Sequence, residues 1–469
     1  MAAEQINLSP AAETSLGALR TAIEGRVIVP NDPDYDTVRQ AWNLLLDQHP
    51  ALIVVVASAS DVVQAVRFAR NSGLGVAVQA TGHGVVSPAD DGLLIVTSQM
   101  TDVRIDAQSQ TAWIEAGTQW GKVLEKAQEV GLAPLLGSSP GVGAVGYTLG
   151  GGMGWLARKH GLAADSVHYF EIVTADGQLR RASATENADL FWGLRGGGGS
   201  FGVITGMEIQ LYPVTTVYAG NLIYPIDAAR EVFAHYREWI ASAPDELTSS
   251  IVIMNFPPIP AVPEFLRGQS VVMVRGCYAG DVQDGAELIQ EWRDWKTPMA
   301  DMFDVLPFSK AATISNDPPD PVAGLSTTVS LGSLDDEAIE TLIRHGVTKN
   351  GLVVTEIRHA GGAMAKVDAQ ANAYGNRNTS LILQFIGMTP TLDARHGLEQ
   401  YIDQIRLELH PHLTDRVYIN FLEGREKRER TKDAYSPESY HRLMRLKARY
   451  DPENLFRFSF GIRPAHDNA

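Results

Sequence analysis

The sequence holds one cysteine, Cys277, in 469 residues. A disulfide within the chain is therefore excluded, and a reducing, cytoplasmic setting is expected. Cations are scarce too, with 39 Lys and Arg against 55 Asp and Glu, for a net charge of -16. An acidic surface repels phosphate backbones and anionic lipid, so neither a nucleic acid nor a membrane is expected as a partner. No stretch approaches the roughly 18 apolar residues of a membrane span. The opening MAAEQINLSPAAETSLG lacks the basic start and apolar core of a secretory signal. There is also no internal repeat and no low-complexity tract.

What remains is ordinary globular material, 45% hydrophobic and 20% charged. The length asks for two or more domains. LIVVV at 52–56 is a β-branched run typical of a buried strand. Ser60 offers a helix cap, Val62, Val66 and Ala69 recur at helical spacing, and Gly73 closes the helix. Strands are predicted over 75–80, 92–98 and 111–117. A helix between Gln119 and Gly131 has Trp120, Val123, Leu124 and Ala127 as its apolar face. YFEIVTADGQLRRAS reads as a hairpin turning at Asp176-Gly177. Beyond about 214 the glycine density falls, and strands alternate with helices over short connections. That pattern favours antiparallel pairing in a second α+β domain. The chain ends in a helix and an Asp-Pro turn.

Three glycine-rich segments stand apart. QATGHG, 79–84, turns the chain through Gly82 and Gly84 around His83. Taken alone, such a histidine is a base, a ligand, a covalent tether or a loop residue satisfied by hydrogen bonds. PLLGSSPGVGAVGYTLGGGMG, 134–154, is too rich in Gly and Pro for a long regular element. A loop of that length inside a domain is ordered by what it wraps. RGGGGSFGVIT, 195–205, is the third. The literal G-x-G-x-x-G at Gly141, Gly143 and Gly146, with Asp165 about 20 residues on, invites a nicotinamide-binding reading. Ser138-Ser139-Pro140 before it and Gly150-Gly151-Gly152 after it argue against the strand and helix that reading needs.

As a set these segments resemble the FAD-linked oxidases of the vanillyl-alcohol oxidase / p-cresol methylhydroxylase fold, in their berberine bridge enzyme-like branch. The matching stretches are NDPDYDTVRQAWN, SASDVVQAVRFAR, TGHG, VGAVGYTLGGGMGWLARKHGLAAD, VTADG, DLFWGLRGGGGSFGVIT and YDPENLF. The resemblance implies an α+β, two-domain PCMH-type fold. A FAD-binding domain over 1–213 precedes a substrate domain over 214–428, built on an antiparallel sheet backed by helices. Residues 429–469 return to the first domain.

The resemblance also implies chemistry. His83 falls where relatives bond a histidine to the flavin 8α-methyl carbon. Ser139 falls where many relatives carry a second, cysteinyl link, so a single tether is expected. Thr81, Gly82, Gly84, Ser139, Val142, Gly143, Gly146, Tyr147, Gly150, Gly151, Gly152, Gly154, Asp165, Gly202 and Val203 are the remaining expected cofactor contacts. Val142 occupies a position linked to oxygen access, where a small residue goes with oxidases. Tyr147 stands where relatives often place a histidine near the flavin. Gln384 and Tyr418, the latter in a Tyr-x-Asn motif, fall at substrate-side positions, with packing on period-2 strands as the plainer account of both. FSFGIRP replaces the amides common in relatives near the terminus. The expected reaction moves hydride from a small alcohol, sugar, phenol or secondary metabolite to covalent FAD, and oxygen leaves as hydrogen peroxide. A dehydrogenase with another acceptor and a noncatalytic flavin protein are the alternatives.

Overall fold

A computed structural model describes residues 10–347 and 350–465. Residues 1–9, 348–349 and 466–469, including both outer ends of the expected domains, lie outside it. Three sheets carry the chain. The first is four-stranded, in the order Arg26–Ile28, Leu52–Val55, Leu93–Val96, Val76–Gln79. Its last three strands are parallel, and Ala59–Asn71 is the crossover helix between two of them. Ser58, not Ser60, caps that helix, accepting from the Asp61 amide. Ser58 has the extended backbone that a cap requires, whereas Ser60 is already inside the first turn. A five-stranded antiparallel sheet follows, with the expected hairpin Val167–Val173 and Leu179–Ser183 at one edge.

The third sheet is nine-stranded, and all its pairings are antiparallel. Side chains alternate across it. Ile357, Leu383 and Phe385 point into a core shared with the helices Ala229–Ile240, Asp336–Gly346 and Leu392–Leu409. By the same alternation Glu356, Arg358 and Gln384 occupy the opposite face, where Ile382 packs on Met153, Leu162 and Tyr418. The α+β fold therefore sets a polar sheet face against the glycine-rich loops.

Two elements differ from expectation. Ala144–Leu149 is a short helix inside the stretch read as loop. Gly143, extended, leads into it, and Gly150 ends it. Tyr418 is not on a strand; it precedes the single turn Ile419–Phe421. The Asn420 side chain donates to the Tyr147 carbonyl and bends this segment back on the loop.

The carboxyl-terminal helix Pro437–Tyr450 is pinned by a fully buried pair. Lys447 Nζ donates to Asp451 at 2.6 Å and to the Ser200 carbonyl at 2.7 Å. Asp451 also accepts from the amides of Leu455 and Phe456. Removing one member of such a pair strands the other, at a cost of about 3–5 kcal/mol. Lys447→Met is expected to lower stability by that order in urea denaturation. It also frees the 195–205 loop, which limited proteolysis reads directly.

Candidate active site

The strand Val76–Gln79 delivers the chain to His83. Gln79 is buried and holds its own surroundings, donating to the Gln40 carbonyl at 3.0 Å and accepting from Gln48 at 2.9 Å. Gly82 has φ +77°, the left-handed region that glycine enters without strain, and its carbonyl accepts from the Trp42 amide. Trp42 then stacks on the His83 ring, with centroids 4.6 Å apart and planes 21° from parallel. The other contact is Thr81 Oγ1, 2.9 Å from Nδ1. Desolvation lowers the imidazole pKa to about 4, so His83 is neutral near pH 7.

The long glycine segment lies against this loop. A side chain at Gly143 would meet Ala80 and Thr81 Oγ1 at 3.5 Å. Val142, half-buried, accepts from the Trp120 amide, and its own amide bonds to the Ser139 carbonyl. Tyr147 stands edge-on to Trp120, with centroids 5.7 Å apart. Its hydroxyl is buried and has no hydrogen-bond partner among the described residues. Burial pushes its pKa well up, so it is a neutral donor in want of an acceptor.

The glycines divide into two groups. Gly150, Gly151, Gly152 and Gly154 are required by protein atoms: a methyl group would overlap Asn420 Oδ1 at Gly150 and the Leu136 carbonyl at Gly154. It would press Tyr374 at Gly151 and Tyr147 at Gly152. Gly202 is likewise held close to the Val173 carbonyl, at the start of the strand Val203–Gln210. Gly84 and Gly146 instead have nothing within 4 Å of a built methyl, and Gly141 has only Ser139 Oγ at 3.8 Å. Asp165 is engaged elsewhere, by Arg377 at 2.6 Å and Asn372 at 2.7 Å. Those partners account for its carboxylate without any cofactor.

From the other side comes Tyr418, 2% exposed. Its hydroxyl oxygen accepts from the amides of Gly152 and Met153 and from Asn420 Nδ2, each at 3.0 Å. Burial raises this phenol above its ordinary pKa, while the three donors pull it down. Gln384 donates to Ser326 Oγ at 3.0 Å and leaves the other end of its buried amide unpaired. Beside it Glu356 accepts from Arg358 Nε at 2.9 Å, with Arg275 3.6 Å from its second oxygen. The Arg358 guanidinium lies 4.8 Å from the Phe421 ring centre. Trp42, Glu356 and Arg358 escaped the sequence reading. The last two carried a signal: charges two apart in VVTEIRH, a run otherwise patterned as a core strand.

Comparison with known proteins decides the class. Residues 50–183 match the family described as FAD binding domain, and 417–463 match the family described as berberine and berberine like. Both matches support a berberine-bridge-like FAD-linked oxidoreductase. (R)-6-hydroxynicotine oxidase of Paenarthrobacter nicotinovorans is 27% identical, covering 94% of this chain and 97% of its own. Carbohydrate oxidase of Microdochium nivale is 25% identical over 98% and 97%. The solved structure of Physcomitrella patens BBE-like 1 superposes with a TM-score of 0.85 at 21% identity, over 96% and 99%, a match of fold. No helix among the described residues is long and apolar enough to cross a membrane.

The residues fit FAD. Open backbone at Gly84, Gly141 and Gly146, a buried unpaired hydroxyl on Tyr147 and a neutral histidine on an aromatic plane suit a flat, polar-edged ring system. The two glycine groups are separable by mutation. Gly150→Ala should displace Asn420 and cost about 1–3 kcal/mol of stability, read as a lower urea midpoint. Gly146→Ala should leave that midpoint unchanged in flavin-free protein and lower the flavin content per chain.

Proposed function

We propose that this oxidoreductase carries FAD joined to His83 and oxidises a small organic substrate, with oxygen as the final acceptor. The observation that carries the reading is convergence. The glycine segment touches both partners: Gly143 lies against Thr81 of the His83 loop, and the Gly152 amide donates to the Tyr418 hydroxyl. We read 1–213 and 429–469 as the part that holds the cofactor and 214–428 as the part that holds the substrate. The lone thiol, Cys277, is buried with its pKa pushed up to about 12, which supports a single tether and suits the cytoplasm.

When bound, FAD supplies two-electron acceptance from a C–H bond and the return of those electrons to oxygen as hydrogen peroxide. The chain supplies the rest. His83 offers an unprotonated ring nitrogen, the form that can bond to the 8α carbon. Trp42 and Thr81 hold that ring in one orientation. In its phenolate form, which the three N–H donors stabilise, Tyr418 takes the hydroxyl or amine proton of the substrate. Gln384 is no base, and its free amide end positions the substrate. Tyr147 donates to the reacting assembly. Val142, small and half-buried beside Ser139, leaves a path for oxygen. Relatives named as oxidases of 6-hydroxynicotine and of carbohydrates support a small polar substrate.

Protein precipitated with acid should stay yellow in the wild type and turn colourless in His83→Ala, with the flavin in the supernatant. A colourless wild-type pellet would remove the tether.

Tyr418→Phe should retain flavin and slow its reduction about 10²–10⁴-fold. Since burial holds the phenol above its ordinary pKa, the wild-type reduction rate should climb with pH through the alkaline range. The phenylalanine variant should lose that climb; stopped-flow bleaching at several pH values reads both. Val142→Leu should slow reoxidation by oxygen and leave reduction unchanged.

A further inference from the structure

The polar sheet face holds more positive charge than it neutralises. Arg275 and Glu356 are 5% and 2% exposed, and Arg358 stands beside them on the strand Leu352–His359. Two guanidinium groups thus share one carboxylate. Glu356 gives one oxygen to Arg358 Nε at 2.9 Å and faces Arg275 Nη1 with the other at 3.6 Å. The next carboxylate acting on Arg358 is Asp317, in an exposed loop where Ser138 Oγ donates to it at 2.5 Å. A buried excess of one positive charge is costly unless an anion meets it.

The orientation of Arg358 shows where that anion sits. Its Nε edge is fixed by Glu356 and its flat face by Phe421. The two terminal nitrogens make no hydrogen bond among the described residues, and the side chain is 19% exposed. A guanidinium so held presents a pair of parallel N–H donors, the shape that receives a carboxylate through two hydrogen bonds. Tyr418, whose phenolate oxygen would take the substrate's proton, packs edge-on to the same Phe421 ring at 4.7 Å. Gln384, directly across the ladder from Glu356, has an unpaired amide end buried at 4% exposure. Either orientation of that amide leaves one polar atom for a ligand.

The geometry points to a substrate that is an organic acid: a carboxylate on the terminal nitrogens of Arg358, with a hydroxyl or amine between Gln384 and Tyr418 on the carbon to be oxidised. This rests on the flavin reading above and narrows it. Bound FAD would supply the acceptor for the substrate's hydride, the Tyr418 phenolate would take the proton of the hydroxyl or amine, and the carboxylate keeps its charge throughout.

The test uses flavin-loaded protein at pH 7.5 and follows the flavin absorbance during titration with benzoate, mandelate or neutral benzamide. The two acids should perturb the spectrum saturably and the amide should not. Arg358→Gln should weaken benzoate at least about tenfold, the loss of one charge-assisted pair. Arg358→Lys, which keeps the charge and the fold but lacks the fork, should fall between. Equal binding of benzoate and benzamide to the wild type would overturn the proposal. So would unchanged benzoate affinity in both variants with a lowered flavin reduction potential, since the arginine would then serve the cofactor. Protein purified without flavin would defeat the underlying reading instead, before any acid is added.

Discussion

The Tyr418 hydroxyl is the point on which the site depends. Three N–H groups converge on it, two from the glycine segment and one from Asn420. Asn420 reaches in because Gly150 has no side chain, and it bonds the Tyr147 carbonyl with its remaining donor. A loop from the first half of the chain is thereby fastened to a turn some 265 residues later. That joint acts beside others, such as the Lys427 Nζ bond to the Val85 carbonyl, in setting the sheet face carrying Gln384 and Arg358 against the His83 loop. The same three donors that fasten the joint also stabilise negative charge on the oxygen, so structure and chemistry use one set of hydrogen bonds.

This changes what the glycine run means. Read from sequence, 150–154 is bare backbone for a ligand. In the structure those glycines are consumed by Asn420, Tyr374, Tyr147 and the Leu136 carbonyl. Open backbone survives at Gly84, Gly141 and Gly146. The run is thus a packing requirement that places the open positions. Sequence cannot separate the two kinds, because a glycine needed by a distant side chain and one needed by a ligand are the same letter.

Local elements were legible because their signals are local. The strands Leu52–Val55, Val76–Gln79 and Leu93–Val96, the helix Ala59–Asn71, the hairpin at Asp176-Gly177 and the antiparallel nine-stranded sheet all follow from short-range periodicity, turn chemistry and short connections. The cap shifted by two residues because Ser58 and Ser60 are equally good capping chemistry, and only the backbone chooses. The G-x-G-x-x-G was rightly set aside: no strand leads into it, and its helix has six residues. The site was less legible. Trp42 became visible only once its ring was seen on His83, and Asp165 lost its apparent purpose once Arg377 was found beside it. Both facts are pairings across long stretches of chain, which no window of sequence contains.

The charge of the whole and the charge of the site have opposite signs, and the two do not conflict. A net charge of -16 repels an approaching anion at a distance. Salt confines that repulsion to within about 8 Å of the surface charges. Inside the site the relevant separation is a hydrogen bond, and the surroundings are protein, not water. There a unit charge at about 4 Å is worth several-fold more than in bulk solvent. The excess guanidinium between Glu356 and Phe421 therefore governs what is held, while the acidic exterior governs only how fast it arrives. An acidic enzyme that retains an acidic substrate needs its positive charge buried, held rigid and limited to one group, which is the arrangement around Arg358.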